Sequence, residues 1–144
     1  MPADEERNVE LVREMWEAYE RDGMAAILAF AAPEARWRPH SAGGRFFKST
    51  AEYGTYLREM QEHGELVEAT LFDVRAHGDS VIASGRLRLR SGEGLSDTNM
   101  HWLHRFAGGL IVETISAPQL DDVLEAAGLP LETVDPGVER TGPG

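Results

Sequence analysis

Cysteine is absent from the 144 residues, which excludes disulfides, thiolate nucleophiles and zinc–thiolate centres together. Positive charge is scarce as well: 14 Lys and Arg stand against 25 Asp and Glu, for a formal charge of −11. Such a balance repels phosphate backbones and anionic lipid, so neither nucleic acid nor a membrane is an expected partner. No apolar run approaches a bilayer span, and the opening MPADEERN lacks the apolar core of an export signal. The expected location is therefore the cytoplasm. Internal repeats and a dividing linker are missing too.

What remains is ordinary for a globular chain: 42% hydrophobic and 27% charged residues, enough for one domain with its own core. That domain is expected over residues 1–129. The Pro/Gly-rich residues 130–144 read as a flexible tail.

Asp4, Glu5 and Glu6 sit where a helix N-terminus favours acids. Val9, Val12, Trp16 and Tyr19 then recur at three- and four-residue spacing, and Gly23 closes this first helix. A short second helix runs from Met24 to about Ala32, ended by Pro33, with a first strand over Ala35 to Arg38. Ser49 and Glu52 have capping-box spacing and open a third helix that carries Tyr53, Tyr56, Leu57 and Met60, closed by Gly64. The pattern then turns to strands: Leu66 to Ala76, a turn at His77-Gly78-Asp79, and Val81 to Arg90. Asn99 to Ser116 reads as a long hairpin around Gly108-Gly109, and Leu120 to Ala127 as a short helix capped by Gly128. Helices first and strands after make an α+β chain. The expected architecture is a cone: a curved antiparallel sheet wrapped around three N-terminal helices, with a short C-terminal helix.

The hairpin carries the candidate chemistry. Alternation puts Met100, Trp102, His104 and Phe106 on one face of its first strand, and Val112, Thr114 and Ser116 on one face of its second. A bulky apolar face with an imidazole and two hydroxyls suits a pocket wall. His104 titrates near neutrality in water and so is the leading acid–base candidate, set against a core histidine bonded to backbone or Tyr19. His40, on the loop after the first strand, is either a second proton carrier or an exposed loop imidazole. His101 and His104 form H-x-x-H, but odd spacing on a strand sends them to opposite faces, so no metal site is expected. Glu113 shares alternation with Ile111 and Ile115. Facing inward it would be a buried acid, facing outward a surface one. Arg36, Arg38, Arg45 and Lys48 either steer an anionic substrate or form a solvated rim. Trp16, Tyr19, Tyr53, Tyr56 and Met60, at helical spacing, read as core from which some must line a cavity. Tyr19 or Tyr56 could donate to a substrate carbonyl.

In order and phrasing the chain resembles the nuclear transport factor 2-like superfamily, and within it the SnoaL-like group. The phrases are LVREMWEAYERDG, FAAPEARWRP, FKSTAEYGTYLREM, GDSVIASGRLRLR and HWLHRFAGGLIVETIS followed by LEAAGL, together spanning about residues 8–129. The resemblance implies a curved-sheet cone, often a homodimer paired through the sheets, and a family that includes ketosteroid isomerases, polyketide cyclases and dehydratases. It also implies positions for catalytic groups. The ketosteroid isomerase base falls on Arg38 or Trp37 and its pocket acid on Trp102. Its helix-one tyrosine falls near Glu14 or Met15, one turn before Tyr19. The cyclase Asp falls on Gln119. None of these acid–base sets carries over.

The expected function is cofactor-independent acid–base chemistry (isomerisation, dehydration or cyclisation) on a small apolar carbonyl compound in the cone. His104, Tyr19 and His40 are the catalytic candidates. Trp16, Trp37, Tyr53, Tyr56 and Met60 are expected to contact the substrate, as are Met100, Trp102, Thr114 and Ser116. The alternative is a non-catalytic module of the same fold that binds a hydrophobic ligand or dimerises.

Overall fold

The apolar stripe of the first helix must cover an apolar sheet face, and that contact organises the fold. The structure, a computed structural model, describes residues 2–39, 46–62, 66–91 and 94–129. Along the chain these form α1 (Pro2–Asp22), a 3-10 helix (Met24–Phe30), β1 (Ala31–Arg38), α2 (Thr50–Glu62), β2 (Leu66–His77), β3 (Ser80–Ser91), β4 (Gly94–Ala107), β5 (Leu110–Ala117) and α3 (Leu120–Ala126). The strands make one curved, open sheet in the order β1-β5-β4-β3-β2. The α+β cone is thus present, with one difference from the expected all-antiparallel sheet: β1 pairs parallel to β5.

Three apolar clusters hold the layers together. On the concave face Val12 and Met15 of α1 pack on Val81, Ala83, Phe106 and Ile111. At the β1 edge Ala35 and Trp37 pack on Phe47, Tyr53 and Leu57. On the convex face α3 sets Leu120, Val123 and Leu124 against Ile82 and Leu103. Leu103 and Ile82 are neighbours of His104 and Val81 in sequence, so strand alternation alone assigns them to opposite layers.

Several boundaries differ from expectation. Pro33 lies inside β1 instead of before it, in the interval between Ala31 and Arg36 where the pairing with β5 is irregular. An edge strand tolerates a missing N–H there because no ladder bond is lost. Gly23 does end α1, its N–H bonding Tyr19 O at 2.7 Å. Its backbone (φ 95°, ψ −178°) is extended in ψ, however, and not left-handed helical. β4 begins five residues before Asn99, at Gly94. Half of the capping box at α2 forms, Ser49 Oγ accepting from Glu52 N, while Glu52 Oε1 reaches one residue past the cap and accepts from Lys48 N, each at 3.1 Å. Gly64 and the tail 130–144 lie outside the described residues.

Two local features shape the sheet. The β4–β5 pairing shifts between Arg105 and Phe106, so that Phe106 faces Ile111 while Arg105 faces Glu113. Val112 is the extra residue. The bulge splits the group expected from simple alternation, turning Ile111 under α1 and leaving Glu113 beside Arg105 on the other face. The second feature is Gly85, opposite a bulge between Leu71 and Asp73 of β2. A Cβ on Gly85 would lie 2.1 Å from the Thr70 carbonyl oxygen, so only glycine lets the two strands approach this closely.

Candidate functional site

The register of the sheet lays out the candidate site row by row. His104 of β4 stands opposite Thr114 of β5, which stands opposite Trp37 of β1. One step along, Trp102 faces Ser116 on one side and Ala83 on the other. Next to that pair Met100 faces Gly85. The hairpin turn that fixes this register has both glycines at positive φ, 60° for Gly108 and 83° for Gly109.

His104 is 4% exposed. Its Nδ1 is hydrogen-bonded to Thr114 Oγ1 at 2.8 Å. Burial pushes the imidazole pKa down to about 4, because the charged form would lose its hydration under α1. The titration near neutrality expected of a solvated histidine is therefore displaced, and His104 is a neutral ring at pH 7. Two proton arrangements satisfy the bond to Thr114, and each gives Nε2 the complementary role. If Thr114 donates, Nε2 carries the hydrogen; if Nδ1 donates, Nε2 is an acceptor.

The helical residues close over this floor. Trp16 meets Trp102 edge to face at 5.1 Å and Tyr19 at 5.7 Å. Among the described residues Trp16 Nε1 is buried with no conventional hydrogen-bond partner, and the edge-to-face geometry is one in which an indole N–H rests against a π face. Trp16, Tyr19, Trp102 and Ser116 are only half-buried, in contrast to Met100, His104 and Thr114 below them.

Trp37 and Tyr53 make a different kind of contribution. Trp37 is 2% exposed, stacks on Tyr53 at 4.4 Å, and donates from Nε1 to Thr50 Oγ1 at 3.2 Å. Thr50 in turn donates to Ala32 O at 2.6 Å. This pins α2 to β1 and fixes the end of the row that His104 starts. Tyr53 is buried, and that burial, with a smaller effect of Tyr56, pushes its phenol above the ordinary tyrosine range. Tyr56 is half-buried, tilted against Phe47 at 5.0 Å. His40 lies outside the described residues, as does the side chain of Met60.

The convex face carries its own polar groups. Glu113 Oε1 accepts from Arg105 Nη1 at 2.7 Å, and Arg36 Nη2 lies 3.7 Å from Glu113 Oε2. Arg105 also reaches Ala127 O at the end of α3, 3.3 Å away. His101 Nδ1 is hydrogen-bonded to Ser84 Oγ at 2.7 Å. Sequence reading missed this pair, although the β3–β4 register that sets Ser84 against His101 would have disclosed it. It also missed Thr50 as the tie between β1 and α2, for which the sequence carries no local signal. Among the described residues no three His, Asp or Glu side chains are grouped to hold a metal ion. Among them, too, no helix is long and apolar enough to cross a membrane.

A family model described as a SnoaL-like domain matches residues 12–114. No curated protein matches the chain in sequence. Among solved structures, one similar fold is a nuclear transport factor 2-like protein of unknown function from Burkholderia pseudomallei. It is 20% identical, with 83% of this chain and 95% of that one covered at a TM-score of 0.68. TerC, co-crystallised with polyporic acid, is 15% identical over 83% of this chain and 98% of its own, also at 0.68. A protein from Catenulispora acidiphila with a ketosteroid isomerase-like fold, in complex with trimethylamine, is 18% identical over 81% and 94%, at 0.61. At these identities the likeness is one of fold.

Proposed function

The chain belongs to the SnoaL-like domain family, and on that premise we propose that it is a small-molecule enzyme acting on an apolar, carbonyl-bearing substrate held between α1 and the concave sheet. The chemistry is cofactor-independent proton transfer of the kind that isomerisation, dehydration and cyclisation share. A base removes a proton beside the carbonyl, the electron pair moves onto the carbonyl oxygen, and a donor meets the charge that develops there. The observation that carries this reading is the buried His104 ring on the concave face, held at Nδ1 by Thr114.

Burial keeps His104 neutral, and in the tautomer whose Nδ1 donates to Thr114 its Nε2 is free to accept a proton. An enolate forming beside it would favour the imidazolium, since a nearby negative charge raises the pKa that desolvation has lowered. Tyr19, on the half-buried wall, is the donor to the developing oxyanion, and His40 the second proton carrier. Trp16, Met100 and Trp102 are the apolar walls, with Ser116 and Tyr56 at their margins. Trp37 and Tyr53 complete the enclosure from the β1 and α2 side. The protein acts in the cytoplasm as a homodimer joined through the convex face, where Phe72 is 56% exposed beneath the Arg86 guanidinium. Support for a small organic ligand comes from the fold relatives seen with polyporic acid and trimethylamine.

The test is a panel of small ketones and enones screened by thermal stabilisation, followed by turnover of every binder across pH. His104→Ala is expected to lower kcat/KM by about 10² to 10⁴ while retaining the fold. The wild-type acid limb is expected near pH 4, where the free imidazole charges. Full activity in His104→Ala removes the base from the reading. One observation favours a second reading, a ligand-binding module without catalysis: the positions that carry acids in related enzymes hold Trp37 or Arg38, Trp102 and Gln119. Binding without turnover across the panel selects it.

A further inference from the structure

At the other end of α1 from Trp16 the helix passes over two hairpin turns, Gly78-Asp79 between β2 and β3 and Gly108-Gly109 between β4 and β5. The two turns are tied to each other and to the helix. Phe106 N donates to Asp79 O at 2.8 Å, and Gly78 N donates to Glu5 Oε2 at 2.8 Å. Between them lies a cavity of about 550 Å³ lined by Arg7, Asn8, Asp79, Phe106, Ala107 and the three glycines. That volume falls within the range of about 300 to 1,000 Å³ in which small molecules are bound.

The lining is unbalanced in a specific way. Asn8 is 7% exposed, and among the described residues its amide makes no hydrogen bond, although it borders the cavity. Among the described residues only Trp16 Nε1 is a wholly buried side-chain nitrogen or oxygen without a partner, so the Asn8 amide keeps an edge open to solvent. Arg7 and Asp79 stand exposed at the mouth with opposite charges, yet among the described residues they do not pair with each other. Among the described residues the Asp79 carboxylate has one long contact, from Ser80 Oγ at 3.5 Å. Phe106, 5% exposed, gives the floor an apolar patch. Gly78 and Gly108 add no side chain, and a Cβ at either would meet nothing within 4 Å.

We propose that this cavity is a second small-molecule site, separate from the concave site around His104, and that it takes a zwitterion of the α-amino-acid type. The ligand carboxylate meets the Arg7 guanidinium and the ammonium meets Asp79. The Asn8 amide, which can donate and accept at once, serves both ends. The ligand's apolar part rests on Phe106. Glu5, whose Oε2 accepts from the Gly78 N–H, adds a second carboxylate on the Asp79 side, where the ammonium is placed.

The experiment is a titration of the full chain with L-phenylalanine, followed at the backbone amides of Gly78, Gly108 and Gly109 by ¹H–¹⁵N correlation spectra. N-acetyl-L-phenylalanine and L-phenylalaninamide serve as matched probes that each lack one charge. Saturable shifts at these glycines are expected, with affinity about tenfold weaker when either end is blocked. Arg7→Gln should weaken every probe that carries a carboxylate, and Asp79→Asn every probe that carries an ammonium. Asn8→Leu separates a ligand role from a structural one: binding should disappear while the melting temperature holds. No saturable shift up to about 10 mM, or equal shifts from the blocked probes and in both charge variants, overturns the proposal. So does a fall in melting temperature in Asn8→Leu with binding intact.

Discussion

His101 and His104 lie three residues apart on β4, and each joins its Nδ1 to a hydroxyl on a neighbouring strand: Ser84 of β3 at 2.7 Å, Thr114 of β5 at 2.8 Å. The local chemistry is nearly identical. What differs is the layer above. His104 lies under α1 and is 4% exposed, with its pKa driven down to about 4, whereas His101 is half-buried on the face shared with α3 and its pKa is lowered by the same desolvation. The pair teaches that the hydrogen bond does not set the charge of these rings; the cover does. It also makes a shared metal ion geometrically impossible, since the two rings sit on opposite sides of one strand.

The comparison depends on the sheet having a concave side at all, and Gly85 is where that can be broken most severely. Any side chain there would meet the Thr70 carbonyl oxygen at 2.1 Å, a backbone atom that cannot swing away. Gly85→Ala is expected to cost about 3 to 5 kcal/mol in urea denaturation, since strands β2 and β3 must part. The variant should also lift the cover from His104 and bring its pKa back toward the ordinary histidine value, leaving His101 less changed. A loss below about 1 kcal/mol would show that the close approach is not a constraint.

The next effect is in pH. In the unfolded chain His104 takes a proton near pH 6.5, in the folded one only near 4. Between those values protons bind the unfolded state preferentially, so stability is complete above about pH 6.5 and falls as the pH drops toward 4. The gap corresponds to roughly 3 kcal/mol. Carboxylates also titrate in this window, so the informative quantity is the difference between wild type and His104→Gln, read as the slope of unfolding free energy against pH. The variant is expected to be flatter from pH 6.5 to 4. His101→Gln should flatten the slope in the same direction but less, in keeping with its thinner cover. Equal flattening by the two variants would show that α1 does not distinguish the rings.

Both rings could be placed on opposite faces from the sequence, because strand alternation is a short-range rule that holds between positions 101 and 104. The same rule failed at Ile111 and Glu113. A single extra residue, Val112, reverses the face, and no residue type there announces a bulge. The layers were legible for the same local reasons: α1 from its stripe, α2 from Ser49 and Glu52, the hairpin from Gly108-Gly109. Pro33 misled, because a proline that ends a helix and one tolerated in an edge strand look alike until the strand order is known. Burial of His104 was inferred from its face, but the displaced pKa was not. That depends on how completely Met15, Trp16 and Val12 cover the sheet, a tertiary quantity absent from any local window. The turn cavity around Asn8 was invisible for the same reason, as it brings together residues some seventy and a hundred positions apart in the chain.

The finest separation between the two rings lies in their hydroxyl partners. Thr114→Val keeps the shape of the side chain and deletes the oxygen, leaving His104 Nδ1 buried without the one bond it makes to Thr114. Under that much cover an unpaired nitrogen costs about 1 to 2 kcal/mol. Ser84→Ala deletes the same bond at His101, but a half-buried ring can turn an edge toward water, and the expected cost is below about 1 kcal/mol. The tautomer gives a second readout. Loss of Thr114 frees His104 to choose its proton position, so the ¹⁵N shifts of its ring nitrogens should move, whereas those of His101 in Ser84→Ala should approach the solvent average. Were Ser84→Ala the costlier change, the cover on the convex side would be the thicker one, and the role given to α1 in holding His104 neutral would pass to α3.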